Sequence, residues 1–351
     1  MNITEILQKA VAEKASDIFI VAGLPVSLRK NGIISRLDET RLLPPDTEEL
    51  ISQIYSMTGN RELAIVSDGG DDDFSFAVPG LSRFRVSAYK QRNALSAVIR
   101  IITFDLPDYS ELGIPNTIIN MGNGSGGMVL VTGPAGSGKS TTLACIIDHI
   151  NKTREKHIIT LEDPLEYLHR HNRSIVSQRE INVDTENYVT ALRAALRQSP
   201  DVILLGEMRD YETISIAMTA AETGHMLFST LHTIGAANTI DRIIDVFPAN
   251  QQRQVAVQLS MVLSAVVSQQ LLPTVDGGVV PAFEIMTVNP AIRNMIRDNK
   301  IPQIEGLLYS SSKEDMISMD SSILKLYQEG RITRETALLY ATNPEMLERK
   351  L

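Results

Sequence analysis

The sequence predicts an α/β protein in which a domain built on a largely parallel sheet follows a smaller α+β domain. Three observations predict it. From Met128 onward apolar runs alternate with helical patterns, and one such run feeds straight into the glycine-rich octet Gly133 to Ser140 (GPAGSGKS). The chain is 351 residues long, against roughly 100–200 for one domain.

Composition narrows the class. A hydrophobic fraction of 43% with 21% charged residues is that of a folded globular chain. The formal net charge of −9 excludes a broad basic surface for nonspecific nucleic-acid or lipid binding. Cys145 is the single cysteine, which excludes an intramolecular disulfide framework and an all-cysteine zinc site and fits a reducing compartment. The first twenty residues are amphipathic, with Glu5, Lys9, Glu13 and Lys14, and lack the apolar core of a signal peptide, so a mature cytosolic start is expected.

The first domain is expected over residues 1–105. Strand-like runs lie at Asp17 to Ala22, at Val26 to Arg29 before the Asn31-Gly32 turn, and at Phe74 to Val78 before Pro79-Gly80. Asp68 to Asp73 lacks the spacing and closing Glu of a calcium loop and reads as a solvated acidic turn. Arg83, Arg85 and Ser87 then alternate with Phe84, Val86 and Ala88, placing both arginines on one strand face. Residues 106–118, with Pro107 and Pro115, read as a linker, and the second domain as 119–351.

In that domain Met128 to Thr132, His157 to Leu161, Val202 to Leu205 and Met226 to Thr230 are expected strands. Lys139 to Ile150, Glu186 to Gln198 and Tyr211 to Thr223 are the helices between them. Such alternation implies a parallel sheet with ligands beyond its carboxyl ends. Val255 to Val267 is too short to span a bilayer and is broken by Gln258, Ser260 and Ser264, so it reads as a buried helix.

The octet carries the chemistry. Gly133, Gly136 and Gly138, with Pro134, Ala135 and Ser137, let the backbone wrap an anion, while Lys139 neutralises outer phosphates. Ser140 supplies a hydroxyl for Mg²⁺, and Thr141 continues the helix start. These are the contacts of a bound ATP. Glu207 ends the apolar run Val202 to Leu205 and is the candidate metal-shell acid. Glu162-Asp163-Pro164-Leu165-Glu166 closes another strand, and its spacing leaves Glu162 and Glu166 open as the base that orients water. His225 and His232 flank the strand Met226 to Thr230 and read equally as nucleotide-sensing or as packed histidines. His169 and His171, among Arg170 and Arg173, read as solvated.

GPAGSGKST (133–141), TLEDPLEY (160–167), GEMRD (206–210), TAAETGHMLFSTLHT (219–233), DRIIDVFP (241–248) and AIRNMIRD (291–298) together resemble the type IV pilus retraction ATPases, the PilT group of the secretion ATPase superfamily, over nearly the whole chain. The resemblance implies a RecA-like P-loop ATPase domain preceded by a PAS-like domain, and a homohexamer with nucleotide between domains and subunits. It implies Glu166 as the catalytic base, Glu207 as the metal residue, and His225 and His232 as a histidine box. Arg85 and Arg100 match arginines that reach the phosphates, with Arg83 a further candidate. It also implies ATP and Mg²⁺ as ligands, a place at the inner face of the cytoplasmic membrane, and as partners an inner-membrane pilus platform protein and a paralogous retraction ATPase. Neighbouring readings are an assembly or type II secretion ATPase, which typically carries four zinc-binding cysteines, and a RecA-like nucleic-acid translocase, which the acidic balance disfavours.

Overall fold

The computed structural model describes residues 2–351 apart from 31, 60, 103, 105, 312 and 314, so Asn31 of the expected Asn31-Gly32 turn lies outside the described residues. The chain divides into two compact units, residues 1–105 with 166–168, and residues 106–165 with 169–351.

The first unit runs α1 (Ile3–Ala12), β1 (Asp17–Ile20), β2 (Ser27–Lys30), β3 (Ile33–Arg36), α2 (Pro44–Ser56), α3 (Ala64–Ser67), β4 (Asp72–Val78), β5 (Ser82–Gln91) and β6 (Ala94–Ile102). Its antiparallel sheet has the order β3-β2-β1-β6-β5-β4. A capping box starts α1: the Asn2 side chain accepts from the Glu5 N–H at 2.9 Å, and Glu5 reaches back to the Asn2 N–H. Ile3, Ile6, Leu7 and Ala10 then recur at helical spacing and are buried.

The acidic segment departs from expectation. Asp72 opens β4 and is buried, where it accepts from the Tyr55 hydroxyl and the Arg61 Nε, both at 2.7 Å, and pairs with Arg61 Nη2. Composition showed the charge of Asp68 to Asp73 but not the aromatic and cation waiting for one of its members. Chiefly through the Arg61 hydrogen bonds, the Asp72 carboxyl is held below its usual range. A depressed folded-state pKa stabilises above the unfolded pKa of about 3.9 and loses that contribution as pH falls through the folded value. Asp72→Ala is expected to cost about 2–3 kcal/mol at pH 7 by denaturant melting, with a smaller difference at pH 3.

In the second unit α4 (Asn116–Ile119), β7 (Gly127–Thr132), α5 (Lys139–Thr153), β8 (His157–Glu162) and β9 (Ile175–Glu180) come first. There follow α6 (Tyr188–Ala195), β10 (Val202–Leu205), α7 (Tyr211–Glu222), β11 (Met226–Leu231), α8 (Ala236–Asp245) and α9 (Ala249–Val262). The remainder is β12 (Leu263–Pro273), β13 (Val279–Thr287), α10 (Pro290–Arg297), α11 (Pro302–Ser310), β14 (Met316–Ile317), α12 (Met319–Gln328), α13 (Arg334–Tyr340) and α14 (Pro344–Glu348). The sheet order is β14-β13-β12-β7-β11-β10-β8-β9, parallel from β12 to β9 and antiparallel at β13 and β14.

Helices cover both faces. One core joins β7, β10 and β11 to α6 through α11, and the other packs α4 and α5 on the opposite side. Residues 106–118, expected as a linker, contribute to that second core, with Ile114 and Ile118 buried. Val255 to Val267 is not one helix: α9 stops at Val262 and the chain enters β12 at Leu263. The Arg293 guanidinium of α10 donates to Ser260 O at 3.2 Å and Met261 O at 2.9 Å, satisfying carbonyls that the ending helix leaves open. Ile292 and Ile296, on the other face of α10, are buried.

Candidate functional site

The five residues Met128–Thr132 of β7 are buried, and the chain turns at Gly133, whose φ of 140° admits glycine readily. A Cβ there would stand 2.1 Å from the Gln269 carbonyl oxygen. Gly136 (φ 75°) and Gly138 (φ 87°) continue the left-handed path, and a Cβ on Gly138 would meet Gln269 Nε2 at 2.9 Å. Gln269, buried on β12, also accepts from Thr142 Oγ1 at 2.7 Å, so it braces the loop and α5 together. Sequence reasoning missed it, and its one signal was a Gln269-Gln270 pair inside an apolar run.

Lys139 opens α5 and folds back, its Nζ donating to Gly133 O and Pro134 O, each at 2.9 Å. The Ser137 hydroxyl is buried in the loop with no hydrogen-bond partner. The first N–H groups of α5 are unused within the helix, and the helix start favours negative charge. A cradle of left-handed glycines, an unpartnered hydroxyl, a lysine and a helix start fit a polyphosphate. Beside Gly138, Thr141 and Thr142 opens a cleft of 320 Å³ whose walls include Leu112, Pro281 and Arg331, which the sequence did not single out.

Glu207 sits on the same carboxyl edge. Gly206 follows β10 and donates its N–H to Leu161 O at 2.8 Å, and a Cβ there would meet the Tyr188 hydroxyl oxygen at 2.9 Å. Ser229 Oγ donates to Leu205 O at 2.8 Å and Thr230 Oγ1 to Gly206 O at 2.6 Å, so β11 hydroxyls fix the turn that presents Glu207. The Glu207 side chain, 13% exposed, holds Arg209 at 2.5 Å on one oxygen and His232 Nε2 at 3.3 Å on the other. Arg209 was not foreseen. Burial first, then the charges of Glu207, Asp163 and Glu162, push the Tyr188 phenol well above its usual pKa, placing it among these carboxylates.

Glu162 ends β8 at this edge, and Glu166 is exposed in the following loop. His225 is not brought to the cluster. It precedes β11 at the amino edge, where its Nδ1 lies 2.9 Å from Ala220 O and 3.1 Å from Thr223 Oγ1. His169, expected as solvated, is half-buried, and burial lowers its imidazole pKa. Among the described residues no group of three His, Cys, Asp or Glu side chains is arranged to hold a metal ion. A magnesium ion carried by phosphates needs far fewer protein ligands, and Ser140 with Glu207 suits that mode.

In the first unit Arg85 stands opposite Arg100 across β5 and β6, and the same cross-strand row continues to Asp17 and Arg29. Asp17 Oδ1 takes Arg100 Nε at 3.1 Å and Oδ2 takes Arg29 at 3.6 Å. Asp17 thus pairs with two guanidinium groups, Arg85 is the third in the row, and the row is net positive. Arg83 and Arg85 share a face, as the alternation predicts.

A glycine cradle between a buried strand and a helix, with an acid at the carboxyl end of β10, two places along the same parallel sheet, defines a P-loop nucleotide-binding protein. The family model described as "Type II/IV secretion system protein" matches residues 1–332, and the chain belongs to that family, in its PilT branch. It is 43% identical over 346 residues to the type IV pilus retraction ATPase PilT of Pseudomonas aeruginosa, covering 98% of this chain and 99% of the relative. It is 42% identical over 347 residues to the twitching motility protein of Neisseria gonorrhoeae, covering 99% and 92%. The solved structure of the pilus retraction motor PilT with bound ADP superposes with a TM-score of 0.90 at 45% identity, covering 99% of both chains.

Proposed function

We propose that this chain is an ATP-hydrolysing motor of type IV pilus retraction, working as a homohexamer on an inner-membrane platform protein at the cytoplasmic face. The observation that carries the reading is the Gly133–Thr141 cradle beside Glu207 on one sheet edge, in a chain related over its full length to retraction ATPases. No helix among the described residues is long and apolar enough to cross a membrane, which suits attachment through a partner.

In this reading Lys139 and the α5 start bind the β and γ phosphates, and the cleft beside Thr141 takes the nucleoside. Ser140 and Glu207 would hold Mg²⁺, which supplies charge neutralisation on the phosphates. Glu166 acts as the base for the attacking water. Arg85 and Arg100 supply guanidinium charge to the transferred phosphoryl group, and the net positive row they share with Asp17 and Arg29 supports that role. His232 orients Glu207, whereas His225 has no place in the phosphate site of its own chain.

Lys139→Ala tests the reading. Purified protein is expected to lose about 10²–10³-fold in ATP turnover, and cells carrying it to lose pilus retraction. Wild-type retraction by that variant would refute the motor assignment.

A further inference from the structure

Alternation along β12 sorts its side chains between the two faces of the sheet. Val267 packs into the core beneath α5, so Gln269 and Leu271 belong to that face as well. Ser268 stands opposite Thr132, the last residue of β7, and Gln269 is therefore the first residue of β12 beside the phosphate loop. It is 3% exposed, a polar side chain flanked on its own face by Val267 and Leu271.

A buried carboxamide needs partners at both ends. Oε1 has one, accepting from Thr142 Oγ1 at 2.7 Å. Nε2 has no hydrogen-bond partner among the described residues. It stands 2.9 Å from where a Cβ on Gly138 would lie, and Gln269 lines the 320 Å³ cleft together with Gly138, Thr141 and Leu271. A donor left over in so dry a place costs free energy unless an acceptor reaches it from the cleft.

We propose that Gln269 Nε2 donates to an oxygen of the nucleotide α-phosphate, so that one carboxamide braces the loop through Oε1 and binds the nucleotide through Nε2. The proposal rests on the nucleotide reading of the cradle and cleft. In that reading the loop and Lys139 hold the β and γ phosphates and the cleft holds the nucleoside. The α-phosphate spans the two, at the junction of Gly138 with the cleft where Nε2 stands. A donor to an anionic oxygen forms one of the stronger hydrogen bonds, and removing it leaves that oxygen short of a partner.

Two substitutions separate donor from brace, with ADP affinity measured by calorimetry on the full chain. Gln269→Met removes both ends of the amide and is expected to weaken ADP about tenfold. Gln269→Glu keeps an acceptor for Thr142 but turns a carboxylate toward the phosphate, and at pH 7.5 it is expected to weaken ADP about 10²-fold, more than Met does. A carboxyl buried beside phosphate titrates above its usual range, and its protonated form is again a donor. Relative to the wild type at the same pH, the Glu variant therefore regains about fivefold or more at pH 5.5. The two diastereomers of α-thio-ADP, in which sulfur, a weak acceptor, replaces one or the other α oxygen, locate the contact. The wild type binds them unequally, and Gln269→Met reduces that inequality about threefold. Where Gln269→Glu fails to fold, the Met variant and the thio pair decide. If Gln269→Glu bound ADP more tightly than Gln269→Met at pH 7.5, Gln269 would be a brace only. An unchanged diastereomer ratio would take the contact off the α-phosphate. Wild-type protein that bound no ADP would instead refute the nucleotide reading itself.

Discussion

Glu166→Gln is expected to bind ATP with near-normal affinity and to hydrolyse it about 10³-fold more slowly, measured as phosphate release under saturating ATP. The amide keeps the shape of the side chain but cannot accept a proton, and a positioned general base contributes roughly 10²–10⁴-fold. The two acids at the sheet edge, Glu207 and Glu162, have competing work. Glu207 is held by Arg209 and His232, which suits a metal-shell residue. Glu162 is the last residue of β8, half-buried and continuous with the sheet, and its backbone carbonyl accepts from the Ile181 N–H at 2.8 Å. Glu166 is exposed in the loop beyond. The matched Glu162→Gln variant therefore loses much less. A larger loss in Glu162→Gln than in Glu166→Gln would assign the base to the strand end instead.

What was legible in the sequence follows the physics of burial. β7, β8, β10 and β11 are short and almost wholly buried, so each reads as an apolar run bounded by turn residues. The loop and α5 were legible because left-handed backbone and phosphate contact both demand glycine. The Val255 to Val267 run failed as a reading because a buried helix and a buried strand are both continuously apolar, and nothing local marks the change at Leu263. Gln269 escaped for another reason: its role exists only after β12 has been brought beside the loop. His225 and His232 are near in sequence, but a six-residue strand between them carries them roughly 20 Å apart, to opposite edges of the sheet. Asp72 shows the converse error, since local composition described its acidic neighbours and said nothing of Arg61 and Tyr55.

Gly133→Ala is expected to cost about 2–4 kcal/mol in the second unit and to abolish detectable ATP binding, read by thermal melting and by fluorescent nucleotide titration. The obstacle is backbone. The new Cβ would lie 2.1 Å from Gln269 O and 3.2 Å from its carbonyl carbon, and β12 is held in parallel register with β7, Ser268 opposite Thr132. Relief requires breaking that ladder or moving the loop off the strand. Gly138 differs in kind, because its Cβ would meet Gln269 Nε2 at 2.9 Å, the end of a flexible side chain. Adding Gln269→Ala should therefore recover part of the stability lost by Gly138→Ala, leaving about 1 kcal/mol of left-handed strain, and recover none of that lost by Gly133→Ala. At Gly136 no atom lies within 4 Å of the built Cβ, so Gly136→Ala reports the strain of φ 75° alone, about 1 kcal/mol. If Gln269→Ala rescued Gly133→Ala as well, the brace on the phosphate loop would be the glutamine side chain and not the β12 backbone.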